Sequence, residues 1–544
     1  YVGGRGDIDN PLGYLDDRFD SRPEDGGGDR GGEFAFNQLF RGPVALFGGV
    51  EYQTPWEPLS LQLEYEGNDY QNEPLNNVFE QDSPFNVGAR YALNDNLAFR
   101  LGWERGNTLM AGVTISLNLA EIAQPKRDPA PVPLADEPTS DAQSWLPIAV
   151  ALQNNAGVHA NRISIDGDEL LIEAEPTKYR SLLESEVRAN RILHNNVSPR
   201  IDTFRYRWQN LGLNLREDVH SREAFVAAAQ SSTDEMEYQY GIYATAATQP
   251  VDEAPEGKTV YASDPSHFSW SVAPGYNQNL GGPDGYLYQV YAKLNGAYRT
   301  DANGWFSGQL AWNLYDNLDN YEYIAESDLP RVRTYIGEYL SETNVGIYNL
   351  QYTRTARLAD DWYGMAYGGI LEMMYAGVGG EVLYRPFDSA VAFGLDLNWV
   401  KQRDFDQLFG LRDYDTWTGH ATAYVETGIE DVLAQVSVGR YLAKDIGMSF
   451  TLSREFDSGV HLGAWATFTD AGDAYGEGSF DKGLYVAIPF DVFFTSSSRS
   501  YTTVSWQPLT RDGGARLARR YSLYGITQDS DIGSYWNYFD EALE

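Results

Sequence analysis

The sequence predicts an all-β membrane protein: tandem antiparallel transmembrane β-barrels with a small α/β module between them. Three observations point there. Runs of roughly 9–11 residues alternate apolar with polar or small side chains at a period of two, and many carry an aromatic near one end, as transmembrane strands do. These runs fall in two blocks, separated by a Pro-rich stretch and a segment of helical period. No stretch of about 18 apolar residues occurs, so no helix is expected to cross a bilayer.

The first block is placed at residues 1–120. Residues 1–33 are rich in Gly and Asp and are expected to be irregular. Arg5-Gly6-Asp7 reads there as a Gly turn beside two charges rather than an adhesion tripeptide. Strands are expected at 34–39, 43–53, 59–67, 84–93, 96–105 and 108–119. Leu59, Leu61, Leu63 and Tyr65 alternate with Ser60, Gln62, Glu64 and Glu66, and Leu97, Phe99, Leu101 and Trp103 with Ala98, Arg100, Gly102 and Glu104. Six strands are fewer than the roughly eight of the smallest single-chain barrels. Either earlier strands lie before Tyr1, the favoured reading, which makes the first barrel partly truncated, or the first unit is an open sheet.

A linker follows at 121–145, with prolines at 125, 129, 131, 133 and 138 that favour an extended, semi-rigid chain. Residues 146–235 read as the α/β module. A strand is expected at 161–175, kinked at Asp166-Gly167-Asp168, and another at 200–216. Leu182, Leu183, Val187, Ile192 and Leu193 recur at helical spacing within 177–195. A second helix is expected at 221–230, N-capped by Ser221, and a third at 144–153. Residues 236–267 read as a polar connection.

Alternation returns over 268–510, the second barrel. About fourteen strands are expected there, at 268–276, 285–299, 303–315, 330–341, 345–356, 361–375, 377–386, 390–401, 416–428, 431–442, 445–455, 459–468, 480–490 and 499–508. The tail at 511–544 carries Arg511, Arg516, Arg519 and Arg520, then Tyr535, Trp536, Tyr538 and Phe539, and is expected to lie outside the barrel.

Composition narrows the chemistry. Forty Lys and Arg against 78 Asp and Glu leave a net charge of −38, which argues against nucleic acid as a partner. With no cysteine, disulfides and thiolate metal sites are excluded. The six histidines, at 159, 194, 220, 267, 420 and 461, show no metal-ligand spacing. Asp470, Asp473, Glu477 and Asp481 offer oxygen ligands without the spacing of a calcium loop. No catalytic motif stands out, so no enzyme activity and no cofactor are expected. The aromatics Tyr65, Trp103, Trp312 and Trp399 lie on apolar faces, where a lipid-interface role outweighs sugar stacking. Candidates for weak, repeated contact with a polymer lie on polar faces instead: Gln289, Tyr291, Lys293 and Asn295 on one strand, Ser307, Gln309 and Asn313 on the next. The Arg511–Arg520 cluster reads either as a contact for anionic glycan or lipid phosphate or as a solvated basic tail.

Several stretches are distinctive as text. They are Gly13-Tyr14-Leu15, Arg18-Phe19-Asp20-Ser21-Arg22-Pro23, the run from Phe40-Arg41-Gly42-Pro43 to Thr54-Pro55-Trp56, and Leu63-Glu64-Tyr65-Glu66-Gly67-Asn68-Asp69-Tyr70. Near the other end stands Trp506-Gln507-Pro508-Leu509-Thr510-Arg511-Asp512-Gly513-Gly514-Ala515-Arg516-Leu517. Together they resemble the YjbH/GfcD family of outer-membrane exopolysaccharide and group 4 capsule proteins. The resemblance implies two barrel units in the bacterial outer membrane, a periplasmic placement for the α/β module, and a role in secretion or assembly of an extracellular polysaccharide. It also implies small periplasmic partners of the YjbG/GfcC type, and it supplies no catalytic motif. The expected function is thus a passive polar conduit in contact with polysaccharide and outer-membrane lipid. A non-conducting scaffold that docks secretion partners and a barrel enzyme acting on glycan or lipid are the competing readings.

Overall fold

The computed structural model describes residues 2–21, 40–68, 80–118, 122, 124–136, 144–230, 242–246, 257–264, 267–282, 285–322, 327–472, 480–507 and 510–530. Two compact units divide the chain, one built on Tyr1–Ile122 and the other on Ala123–Gly476 and Phe480–Glu544.

The first unit is a six-stranded sheet in sequence order: β1 (Val2–Ile8), β2 (Val44–Gln53), β3 (Leu59–Glu66), β4 (Phe85–Asn94), β5 (Leu97–Glu104) and β6 (Thr108–Ile115). Every neighbouring pair is antiparallel. The expected strand at 34–39 lies outside the described residues. Residues 2–8, expected to be irregular, instead form the edge strand, and Arg5-Gly6-Asp7 lies within it rather than in a turn. An edge strand can be held by backbone ladder bonds alone, so it needs no apolar alternation. Among the described residues no pairing joins β1 to β6.

The second unit begins with the α/β module. Its helix α1 (Trp145–Ala151) precedes the hairpin β7 (Val158–Asp166) and β8 (Glu169–Pro176). The expected single strand at 161–175 is thus two strands, because Gly167 takes φ +64° and turns the chain back. Helix α2 (Leu182–Asn196) follows, capped by Ser181, whose Oγ accepts from Glu184 N at 3.2 Å. It provides the crossover that lets β9 (Thr203–Asn210) run parallel to β8. Leu211 and Gly212, at φ +45° and +80°, make a tight hairpin turn into β10 (Leu213–Ser221), so the expected strand at 200–216 is also a hairpin. Ser221 caps α3 (Arg222–Ala229) as expected. The stretch read as a polar connection contributes two edge strands, β11 (Ile242–Ala246) and β12 (Lys258–Ala262), giving the sheet order β11-β10-β9-β8-β7-β12. Leu152, Ile163, Ile172, Leu183, Leu193, Phe204 and Phe225 form one buried core between helices and sheet. The Pro-rich stretch runs along this module, with the carbonyls of Pro129 and Pro133 accepting from Arg188 and Asn195 at 2.9 Å each.

The remaining chain forms a thirteen-stranded sheet, also in sequence order. Its strands are β13 (Phe268–Gly282), β14 (Gly285–Arg299), β15 (Gly304–Asp316), β16 (Val345–Ala359), β17 (Trp362–Ile370), β18 (Tyr375–Tyr384), β19 (Val391–Arg403), β20 (Leu411–Glu426), β21 (Val432–Arg440), β22 (Ile446–Glu455), β23 (His461–Thr469), β24 (Asp481–Pro489) and β25 (Tyr501–Trp506). The fourteenth expected strand, 330–341, is a loop ending in a short helix at Ile336–Ser341. Its alternation is real, but the Asp512 carboxylate collects the N–H groups of Val332, Arg333 and Thr334 at 2.8, 2.8 and 3.0 Å and withholds them from any ladder. No described pairing joins β13 to β25, so the expected closed barrel is an open ladder in its hydrogen bonding.

Candidate functional site

The thirteen-stranded sheet is inside out. Leu395, Leu397 and Trp399 on β19 are 60, 57 and 37 % exposed, whereas the intervening Asn398 is 1 % exposed. The same holds across neighbouring strands, where Gln289, Ser307, Thr353, Thr418, Ser437, Ser449 and Thr467 are all buried. Water-soluble proteins bury the opposite face. A flat sheet this wide, at about 4.8 Å per strand, has a face far too large for a short segment to cover. The sheet therefore curls, with the polar face turned inward.

The inward polar residues satisfy one another. Ser307 Oγ donates to Asn349 Oδ1 at 3.2 Å, Asn349 Nδ2 to Gln351 Oε1 at 2.8 Å and Gln351 Nε2 to Thr353 Oγ1 at 2.8 Å. The sequence-derived polymer candidates belong to this face. Gln289 accepts from Asn277 at 3.0 Å, and Asn295 accepts from Gln309 at 2.7 Å. Tyr291 packs beside Tyr348 at 5.8 Å between centroids, Lys293 lies 5.8 Å from the Tyr291 ring, and Asn313 bonds Asp316. Ser307, Gln309 and Asn295 thus sit in amide ladders, while Lys293 stays half-buried. The four interface aromatics, Tyr65, Trp103, Trp312 and Trp399, all stand on exposed apolar faces.

The interior is occupied by the chain's own end. The tail 511–544 is expected outside the barrel, yet within its described part Arg511, Asp512, Ala515, Leu517, Leu523 and Ile526 are buried. Asp512 caps the 332–334 turn, with Thr334 Oγ1 adding a fourth bond at 2.9 Å. Gly514 N donates to Asp445 at 2.7 Å, and Leu442 N to Ala515 O at 2.9 Å. Arg519 pairs with Glu381 at 2.7 Å, and Arg385 donates to Thr527 O at 2.8 Å. The arginine cluster therefore meets protein: Arg519 binds Glu381, Arg516 gives its carbonyl to Arg333 at 2.6 Å, Arg520 donates to Tyr521 at 3.3 Å and Arg511 is buried. Backbone carbonyls of the β9–β10 turn reach the 300–303 end of the sheet, where the segment up to Ser530 meets them. Leu211 O accepts from Thr355 at 2.6 Å and Gly212 O from Asn303 at 2.7 Å, while Asn210 donates to Ile526 O at 2.9 Å.

The second half of the distinctive run, Arg511–Leu517, thus belongs to the segment buried against this inner face. The family model described as YjbH, exopolysaccharide biosynthesis protein YbjH, matches residues 1–529. The chain belongs to the YjbH family. With membership comes a role in exopolysaccharide synthesis or export. An Escherichia coli (strain K12) protein described as "Uncharacterized lipoprotein YjbH" is 39 % identical over 547 residues, covering 98 % of this chain and 77 % of that protein. Among solved structures, OmpT of Vibrio cholerae and its loop L8 deletion mutant are similar in part. In vitro folded OmpT gives TM-score 0.20 at 12 % identity over 41 % of this chain and 81 % of that one. The mutant gives 0.21 at 10 % over 41 % and 87 %. Scores this low carry no argument about the fold. For this YjbH-family chain, the exposed apolar belt fits an outer-membrane location, and no described helix is long and apolar enough to cross a membrane.

The module holds a second polar constellation that sequence reading missed, because its members are scattered over α2, β9 and β10. Glu186 Oε1 accepts from Trp208 Nε1 at 2.7 Å, and its Oε2 lies 2.9 Å from His220 Nε2. Asn190 Nδ2 lies 3.3 Å from His220 Nδ1, and Tyr206 OH donates to Asn190 Oδ1 at 2.7 Å. Burial pushes His220 down to about 4, so the ring is neutral, with Nε2–H donating to Glu186. Burial also pushes Asp218 up to about 8; the Glu186 carboxylate adds to this, against the pull of Arg216. All of these side chains are sealed from solvent, which fits a structural network better than a catalytic one. Among the described residues no cluster of His, Asp and Glu would hold a metal. Of the four oxygen-ligand candidates, Asp473 and Glu477 lie outside the described residues. Asp470 accepts from Ile446 N and Asp481 from Gln507, each at 2.7 Å.

Proposed function

We propose that this protein works in the outer membrane in the secretion or assembly of an extracellular polysaccharide, its thirteen-stranded sheet spanning the bilayer and its α/β module facing the periplasm. The reading rests on one observation above all: an apolar outer face and a hydrogen-bonded polar inner face on the same strands. Orientation follows from the loops. The long 317–344 connection stands at the end away from the module, while the module end carries the short turns 300–303, 360–361 and 456–460 and one longer connection, 490–500. Outer-membrane barrels place short turns in the periplasm and long loops outside. The module is fixed to its end of the sheet by Arg299–Glu175 at 2.7 Å, Arg180–Asp491 at 3.2 Å and Arg499 donating to Tyr179 O at 2.9 Å. It presents a surface for small periplasmic partners of the YjbG/GfcC type. Energy comes from elsewhere, and the chain itself performs no chemistry. In a conducting state the polymer would move along Gln289, Tyr291, Lys293, Asn295, Ser307, Gln309 and Asn313, past amides and hydroxyls that hold it weakly.

The occupied interior favours a second reading, a scaffold that docks secretion partners without conducting. Planar-bilayer recording separates the two. The conduit reading expects a chain shortened after Gln507 to conduct and the intact chain to stay closed. Equal silence from both, with export still lost on deleting the protein, supports the scaffold.

A further inference from the structure

The inner wall at β18–β20 has a chemistry that strand pairing does not require. Glu381 and Asp396 are direct cross-strand partners and both are buried. Like charges placed opposite each other destabilise a strand pair, and buried carboxylates are costly without a cation. Beside them Asn398 Nδ2 donates to Asp396 Oδ2 at 2.8 Å, and Tyr367 OH donates to Asn398 Oδ1 at 2.5 Å. His420, 6 % exposed, lies with Nδ1 3.8 Å from Asp396 Oδ1 while its buried Nε2 meets no hydrogen-bond partner. Tyr424 completes the wall with a flat ring face.

The chain brings its own ligand to this wall. Arg519 Nη1 donates to Glu381 Oε2 at 2.7 Å, and its Nη2 lies 3.7 Å from Asp396 Oδ1. The Tyr524 ring lies on Tyr424 at 4.0 Å between centroids, with planes 7° apart. One short segment thus presents a cation to two carboxylates and a flat ring to an aromatic face.

We propose that Glu381, Asp396 and Tyr424, with His420 beside them, form a binding site for a cationic amino-sugar unit, held shut by Arg519 and Tyr524. A pyranose ring carrying a free ammonium offers the same pair of features, a flat C–H face and a positive charge. The inference rests on the polysaccharide reading and adds the polymer class: one with free amino groups. An internal competitor lowers apparent affinity by the fraction of time the site stands open.

The test uses the full chain in nanodiscs. Because the chain has no cysteine, an Arg520→Cys label reports on the C-terminal segment alone. The probes are a glucosamine hexamer, its fully N-acetylated form and a galacturonate hexamer. The glucosamine hexamer is expected to shift the label, and to bind at least about tenfold tighter when Arg519→Gln and Tyr524→Ala remove the competitor. Adding Glu381→Gln and Asp396→Asn to that variant should abolish binding. Equal binding of the acetylated or anionic hexamer, or binding that survives loss of both carboxylates, overturns the proposal. If the loosened variant does not fold, the label response of the wild-type chain decides, and no selective response overturns it. Selective binding without conductance or export defeats only the conduit reading; conductance without selective binding defeats only this one.

Discussion

Gly275 and Tyr291 face each other across β13 and β14, and the tyrosine ring lies where a Cβ on Gly275 would point. Gly463 with Tyr485 and Gly483 with Trp465 repeat the arrangement on registered partners. The glycines leave room for rings that cover the ladder from inside. Gly275→Val should therefore cost about 1–3 kcal/mol by overpacking, read as a lower unfolding temperature in detergent. Tyr291→Ala made in the same chain should recover part of that loss; an additive double variant would separate the two residues. In the module the titrations carry opposite signs. Asp218 is raised from 3.8 to about 8, so its contribution is complete at low pH and is lost as pH rises through about 8. His220 is lowered from 6.5 to about 4, so its contribution is present above 6.5 and lost as pH falls toward 4. Between about 4 and 6.5 the two slopes oppose and cancel, so exchange protection of the 203–221 amides, corrected for intrinsic rate, should hold level there and fall between about 6.5 and 8. Asp218→Asn should remove that fall and uncover an acid one below 6.5; a profile unchanged by the substitution would show that Asp218 is already ionised.

One distant carboxylate caps the 332–334 turn of the 317–344 connection. Asp512 accepts three backbone N–H groups and one hydroxyl there, and beside them Arg333 grips Glu372 through both nitrogens at 2.8 and 3.1 Å. Asp512→Ala strands buried donors and should cost about 2–4 kcal/mol, exposing the connection to limited proteolysis while the strands stay protected. Resistance equal to wild type would mean that the loop packs without its cap. The same residues explain what could be read in advance. Strands β14 to β25 follow the alternation closely because period two is local and lipid on one side enforces it. Residues 330–341 alternate as well, and only a partner some 180 positions away removes them from the sheet. Short β1, β11 and β12 carry no pattern because an edge needs only backbone partners. The polar face was visible in the sequence. That Arg519 and Tyr524 fill it was not, since a basic tail looks the same whether its charges meet water or Glu381.

The inside-out sheet decides where the molecule can live. In water the exposed row Phe393, Leu395, Leu397 and Trp399, continued by Leu310, Trp312 and Leu314 on β15, would be a large apolar patch prone to association. In a bilayer the same row is solvated by lipid, and the tyrosines Tyr276, Tyr286, Tyr288 and Tyr315 gather beside one another near one end of the sheet, as residues of an interfacial belt do. Both edges remain the weak point, and β13 carries Pro274 mid-strand, which lacks an N–H to donate. The membrane assignment therefore makes a sharp prediction on β19. Leu397 stands halfway along the strand, so Leu397→Arg should cost about 2–4 kcal/mol of folding into lipid vesicles. Gln309→Glu on the polar face of β15 should leave insertion near wild type, because its side chain lies on the inward face beside Asn295. Vesicle-folding titrations of both variants against the parent chain check the contrast. If the arginine at 397 folds as readily as leucine, or the parent chain stays monodisperse without detergent or lipid, the exposed face meets water and the sheet belongs outside the bilayer.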